Sequence, residues 1–213
     1  MGKIAQTIVS RNQDVQLHLH PCWTYFKHAD WKEQLTINPP NDDIRRRSEA
    51  EMINIIQEGI NIFSRWGIEA PVALRTGSLW VNRTVYRAMK NLGIVYSSNV
   101  GLGVFVPEEP ELELYSGSAM IEECIELPVL SYIDAFKHLK ALTITGSSWN
   151  EIEYLLLEAS RQNINYVVLL THPSEFVKNT INHYQDFNEN RINKKKLLNL
   201  CQFLTGQPDK FSV

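Results

Sequence analysis

Strand-like and helix-like hydrophobic stretches alternate along most of the chain, and this restricts the fold more than any other feature. Strands separated by helices are the pattern of parallel strands joined by helical crossovers. Tyr166-Val167-Val168-Leu169-Leu170 is a continuous apolar run rich in β-branched residues, as expected of a strand covered on both faces. Ser48 to Trp66 carries Met52, Ile56, Ile60 and Phe63 at helical spacing and stops at Gly67. Asn82 offers an N-cap to a helix bearing Val85, Met89 and Leu92, with Gly93 as its stop. Ser148-Trp149-Asn150-Glu151 is a capping box for a helix carrying Ile152, Leu155, Leu156 and Ala159. Residues near 4–12 and from Ile192 to Leu204 read as further helices. The strand candidates number about five: Val15–Leu19, Pro71–Leu74, Ile94–Ser97, Cys124–Leu130 and Tyr166–Leu170. Val100 to Met120 reads as a long loop. No linker or repeat interrupts the pattern, so residues 1–213 are expected to form a single α/β domain.

Several function classes fall away on charge and composition. A net charge of −3 leaves no electrostatic footprint for nucleic acid. The runs Arg45-Arg46-Arg47 and Lys194-Lys195-Lys196 are short and fit solvated helix faces. Cys22, Cys124 and Cys201 are odd in number and widely spaced, which suggests neither a disulfide framework nor a CxxC zinc site. No apolar run is long enough for a membrane span, and the N-terminus has no signal-peptide core. As it stands the chain reads as cytoplasmic. Asn82-Arg83-Thr84 matches a glycosylation sequon but is treated as chance without a secretion signal.

In parallel α/β folds of the barrel type, reactive groups collect at the C-terminal ends of the strands. The first strand ends in His18-Leu19-His20-Pro21, whose two histidines share a strand face. Imidazole is the commonest side-chain metal ligand, so the pair resembles half of a metal site. The second strand ends at Arg75, before Thr76-Gly77-Ser78. Later ends give Ser97-Ser98-Asn99, then Glu126 before Leu127-Pro128, and finally His172-Pro173.

These residues, in this order, resemble the polysaccharide deacetylase-like family. Val15-Gln16-Leu17-His18-Leu19-His20-Pro21-Cys22-Trp23 looks like its histidine motif. Arg75-Thr76-Gly77-Ser78-Leu79-Trp80, with Asn82 and the Leu92-Gly93-Ile94 turn, resembles its arginine motif. Tyr96-Ser97-Ser98, Glu126-Leu127-Pro128 and Leu170-Thr171-His172-Pro173 resemble later segments. The resemblance implies a deformed (β/α) barrel and a divalent metal, usually zinc. It implies hydrolysis of an N- or O-acetyl group on a carbohydrate by a water that the metal activates. By the same resemblance His18 is a metal ligand, His172 the general acid, and Arg75 a group that orients an aspartate or the substrate. The second ligand is His20 by strand geometry or Cys22 by the family's His-x-x-x-His spacing. Ser78 and Glu126 are carried over as substrate-binding candidates, and Trp23 and Trp80, with Tyr25, Phe26 and Trp31, could stack on sugar rings.

Members of that family begin with a strand carrying the aspartate base. Measured against them, the chain looks N-terminally truncated, with about five of seven barrel strands, and Asp14 is too close to the histidine strand to serve. Weak zinc binding, impaired activity and an unpaired edge at Val15–Leu19 that promotes self-association are the corresponding expectations. Two other readings compete. One is an amidohydrolase or PHP-type metal hydrolase, which needs more His and Asp ligands than His172 and Asp134 supply. The other is a non-catalytic carbohydrate-binding or degenerate fragment.

Overall fold

The structure, a computed structural model, describes residues 1–33, 41–179 and 187–212. It is a mixed α/β arrangement with a parallel-rich sheet. The main sheet contains β1 (Leu17–Leu19), β2 (Ala73–Thr76), β3 (Tyr96–Ser97), β4 (Ala119–Ile121) and β5 (Cys124–Glu126). Its order is β1-β2-β3-β5-β4, parallel except for the antiparallel β4–β5 pair. β1 therefore lies at one edge of this sheet, where the Val15–Leu19 edge was expected.

Register decides what each face carries. Leu17 pairs with Leu74, Leu74 with Ser97, and Ser97 with Glu126, so these four residues form one row. Parallel strands in register put such a row on one face. Leu17 and Leu74 are buried there, Leu17 directly against Gly59 of the helix Glu49–Trp66. His18 pairs with Arg75, and both point to the opposite face.

The helices follow their sequence signals. α1 spans Gly2–Val9 and packs on α2, Glu49–Trp66. Ser48 and Glu51 cap α2 reciprocally, and Gly67 ends it in the left-handed region at φ 66°. Met52, Ile56, Gly59 and Phe63 are its buried positions, spaced to make one stripe. Gly59 faces Leu17 closely: a Cβ there would lie 2.8 Å from Leu17 Cδ1, so glycine lets helix and edge strand touch. α3 (Arg83–Asn91) is capped by Asn82, whose side chain accepts from the Val85 N–H, and it buries Val85, Tyr86, Ala88 and Met89 against α2. α4 (Trp149–Arg161) begins at the Ser148–Glu151 capping box. α5 spans Arg191–Thr205. Ile152 and Leu156 of α4 pack with Leu200 of α5 over Leu130, Leu142 and Ile144 in a second core cluster.

The Tyr166–Leu170 run departs from expectation. It makes only isolated parallel bridges, Val129 to Val168 and Leu170 to Thr143, rather than a regular strand. Its neighbours explain this: the preceding segment is taken up in the antiparallel hairpin of β6 (Ser131–Ile133) and β7 (Leu139–Ala141), and only single residues remain alongside. The long loop expected from Val100 to Met120 contains a short 3-10 turn at Pro110–Leu112 and the start of β4. A further hairpin pairs β8 (Val177–Asn179) with β9 (Phe187–Glu189).

Candidate active site

β1 delivers His18 because Leu17 and Leu19, 7% and 8% exposed, anchor the strand in the core and leave the residue between them facing out. His20 follows at the start of a 3-10 helix, Pro21–Lys27. The His18 and His20 rings lie edge to face, with centroids 4.9 Å apart. Trp23 closes over them, 4.7 Å from the His20 ring and 5.9 Å from that of His18.

Hydrogen bonds fix both tautomers. His18 Nδ1 is 3.0 Å from the Arg75 carbonyl oxygen. A carbonyl only accepts, so Nδ1 carries the proton, and a neutral ring keeps its lone pair on Nε2. His20 Nδ1 is 2.6 Å from Asp42 Oδ2. Burial alone would push the Asp42 carboxyl up. Hydrogen bonds from His20 and from the Cys22 side chain and backbone outweigh it and hold Asp42 below the usual carboxylate range. The ionised Asp42 accepts from His20 Nδ1, which leaves the Nε2 of His20 free. The surroundings of His18 lower its pKa, chiefly by desolvation although the residue keeps exposed surface. Neighbouring His20, Arg75 and His172 add to this, and the Arg75 carbonyl opposes it.

Asp42 is the functional candidate that sequence reasoning missed. It lies far from the histidines in sequence and is placed by its neighbours in the chain. Ile44 is 1% exposed in the main core, and Asp43 caps the short turn Ile44–Arg46 while pairing with Arg45 at 2.8 Å. The Asp42 carboxylate also accepts from the Cys22 N–H at 3.1 Å. One donor atom each from His20, Cys22 and Asp42 lies within 4.8 Å of the others, so this cluster could hold a metal ion. Imidazole, thiolate and carboxylate are donors that zinc accepts together. Burial and then Asp42 push the Cys22 thiol up to about 11, so metal binding there must release its proton.

Gly77 supports this arrangement from below. A Cβ at Gly77 would fall 2.3 Å from His20 Cε1 and Nδ1. Gly77→Ala should therefore turn the His20 ring away from Asp42 and weaken zinc binding by about 10–100-fold, as losing an orienting partner does. A competition titration with far-ultraviolet circular dichroism as control checks this; unchanged affinity would mean that the ring has room to yield.

On the other side of His18, Arg75, Ser98, Thr171 and His172 join it in lining one cavity of about 420 Å³. Arg75 is held there by Ser98, through Nε to the backbone oxygen at 3.1 Å and Nη2 to Oγ at 2.8 Å. His172 Nδ1 lies 3.2 Å from Glu175 Oε1. Burial pushes the Glu175 carboxyl up, but hydrogen bonds from Thr171 and His172 together hold it below its usual range.

Other sequence candidates lie elsewhere. Glu126 is 0% exposed on the face opposite His18, where Tyr86 and Ser97 hydroxyls and the Asn99 and Val100 N–H groups occupy its carboxylate. Ser78 is exposed in the turn after β2, and Trp80 is half-buried beneath the Arg45 guanidinium, 5.8 Å from the ring. Neither lines the His18 cavities. Phe26 and Trp31 pair with each other at 5.2 Å, and the Tyr25 side chain lies outside the described residues. No helix among the described residues is long and apolar enough to cross a membrane. No protein-family model, curated protein or solved structure matches the chain.

Proposed function

We propose that this chain is a metal-dependent hydrolase of the polysaccharide deacetylase-like type, removing acyl groups from the nitrogen or oxygen of a carbohydrate. The observation that carries the reading is the continuity of three groups. A potential metal cluster sits at His20, Cys22 and Asp42; His18 adjoins it with a free Nε2; and His172 and Arg75 share a cavity with His18. The ion, zinc by donor chemistry, would be held by His20, Cys22 and Asp42. When bound, it would supply Lewis acidity toward the acyl carbonyl.

The chain's own residues do the rest. His18 accepts the proton of the attacking water at Nε2, while its Nδ1–H stays on the Arg75 carbonyl. This gives the site a base without the aspartate expected from the family pattern. His172, oriented through Nδ1 by Glu175, donates a proton from Nε2 to the leaving nitrogen or oxygen. Arg75, braced by Ser98, orients the substrate in the cavity. Trp23 offers an exposed aromatic face beside His20, on the side where the substrate's acyl group would lie.

The test uses the zinc-loaded chain with N-acetylated chitooligosaccharides and with p-nitrophenyl acetate. His18→Ala should keep zinc but lose at least about 100-fold in kcat on both, as expected for a missing proton acceptor. His172→Ala should suffer on the sugar amide and be spared on the nitrophenyl ester, whose leaving group needs no proton. Zinc lost from His18→Ala would make His18 a ligand rather than the base. No release of acetate or of a longer carboxylate from any N- or O-acylated sugar by the zinc-loaded chain would refute the reading.

A further inference from the structure

We propose that the groove between β1 and α2 is a site for an aliphatic acyl chain, so that the group removed is longer than acetyl. The inference rests on the hydrolase reading and extends it to the substrate. The groove has a volume of about 500 Å³. Leu17, Leu19, Ile55 and Ile62 supply aliphatic walls, and the close approach of Gly59 to Leu17 forms the floor where helix and strand meet. Glu58, Asn61 and Arg65 lie on the same stretch of α2, exposed to solvent.

Direction comes from which histidine borders which space. His172 lines the Arg75 cavity and not the groove, His20 lines the groove and not the Arg75 cavity, and His18 lines both. In acyl transfer to water, the C–N or C–O bond breaks, water oxygen bonds to the carbonyl carbon, and the leaving heteroatom takes a proton. The leaving group therefore lies on the His172 side. The carbonyl lies by His18 and His20, and its remaining substituent extends away from His172, into the groove. An acetyl methyl would leave most of that space unfilled. A longer chain buries methylenes against the aliphatic walls, each worth about fourfold in affinity.

Binding tests the site without turnover. Acetamide, butyramide and hexanamide, which carry the substrate's acyl amide without its sugar, are titrated calorimetrically into the full chain. Affinity should rise about fourfold per methylene. Ile62→Trp, and independently Ile55→Trp on the other wall, should abolish the length dependence without changing the circular dichroism. With zinc bound, p-nitrophenyl hexanoate should be preferred over the acetate, and the same variants should reverse that preference.

Length-independent binding, or length dependence untouched by both variants, overturns the proposal. So does a dimer in sedimentation that binds hexanamide no better than acetamide, because a second copy along β1 would then fill the groove. Ester hydrolysis with acetate preferred overturns the acyl site and leaves the hydrolase reading standing. Length-dependent, Ile62-sensitive binding with no hydrolysis of any ester supports the aliphatic-chain site and overturns the hydrolase reading.

Discussion

Glu126→Leu should yield no soluble folded protein, whereas Glu126→Gln should fold. The Glu126 carboxylate receives two hydroxyls and two backbone N–H groups, all in the interior. Leucine leaves these four donors without an acceptor, at about 1–3 kcal/mol each, a total of the order of a whole domain's stability. The damage also spreads to the site. Asn99, whose N–H Glu126 holds, accepts the Thr76 N–H at 2.7 Å and so fixes the end of β2 just after Arg75. Glutamine keeps a carbonyl for Asn99 and Val100, and its amide can donate to the Ser97 and Tyr86 oxygens, so a loss of about 1–2 kcal/mol is expected.

The same pair reports a pH dependence. Burial raises the Glu126 pKa above its ordinary 4.5, and the hydrogen bonds from Ser97, Val100, Tyr86 and Asn99 oppose this without cancelling it. A carboxyl whose folded pKa is raised contributes stability that is complete below the unfolded value and is lost as pH climbs through the folded value. Urea midpoints of wild type should therefore fall relative to Glu126→Gln as pH rises from about 4. A difference that stays flat from pH 4 to 8, or moves the other way, would contradict the burial argument.

His20→Ala is the other large effect expected, a loss of zinc affinity greater than about 100-fold, because it removes one donor and frees Asp42 from its partner. Cys22 and Asp42 separate two ways of building the centre. If both are ligands, Cys22→Ser and Asp42→Asn each weaken zinc by a comparable factor, and the cobalt-substituted chain shows a thiolate charge-transfer band that Cys22→Ser removes. If Asp42 only orients His20, Asp42→Asn costs about 10–100-fold, and Cys22→Ser changes neither affinity nor spectrum. The proposed centre requires the first pattern.

Local signals made the helices legible. The Ser48–Glu51 and Ser148–Glu151 capping boxes and the Gly67 stop are decided within one turn of chain. His18 and His172, both candidates from the sequence, line one cavity. Two kinds of information were not local. Asp42 follows an aromatic and proline-rich stretch without periodicity, and its meeting with His20 depends on how Ile44 seats in the core. Only the paired acids before Ile44 hinted at a capped turn. Glu126 sits at a strand end, as reactive groups do, but strand parity sends it to the face under α3, with Leu17, Leu74 and Ser97. Tyr166–Leu170 has the composition of a strand, yet regular pairing depends on neighbours that its own residues do not specify.

The contact between His20 and Asp42 joins residues 22 apart in sequence. Closing a loop of that length costs on the order of 3 kcal/mol of chain entropy. The partly buried hydrogen bond between them contributes about 1.5 kcal/mol and does not offset that alone. The closed form therefore leans on Ile44 in the core, and a ligand gripping both ends would act as a reversible cross-link. Its measured affinity would then depend on how firmly Ile44 seats Asp42 against His20. Substitutions at Ile44, which touches no ligand, would then tune how tightly the site holds its ion.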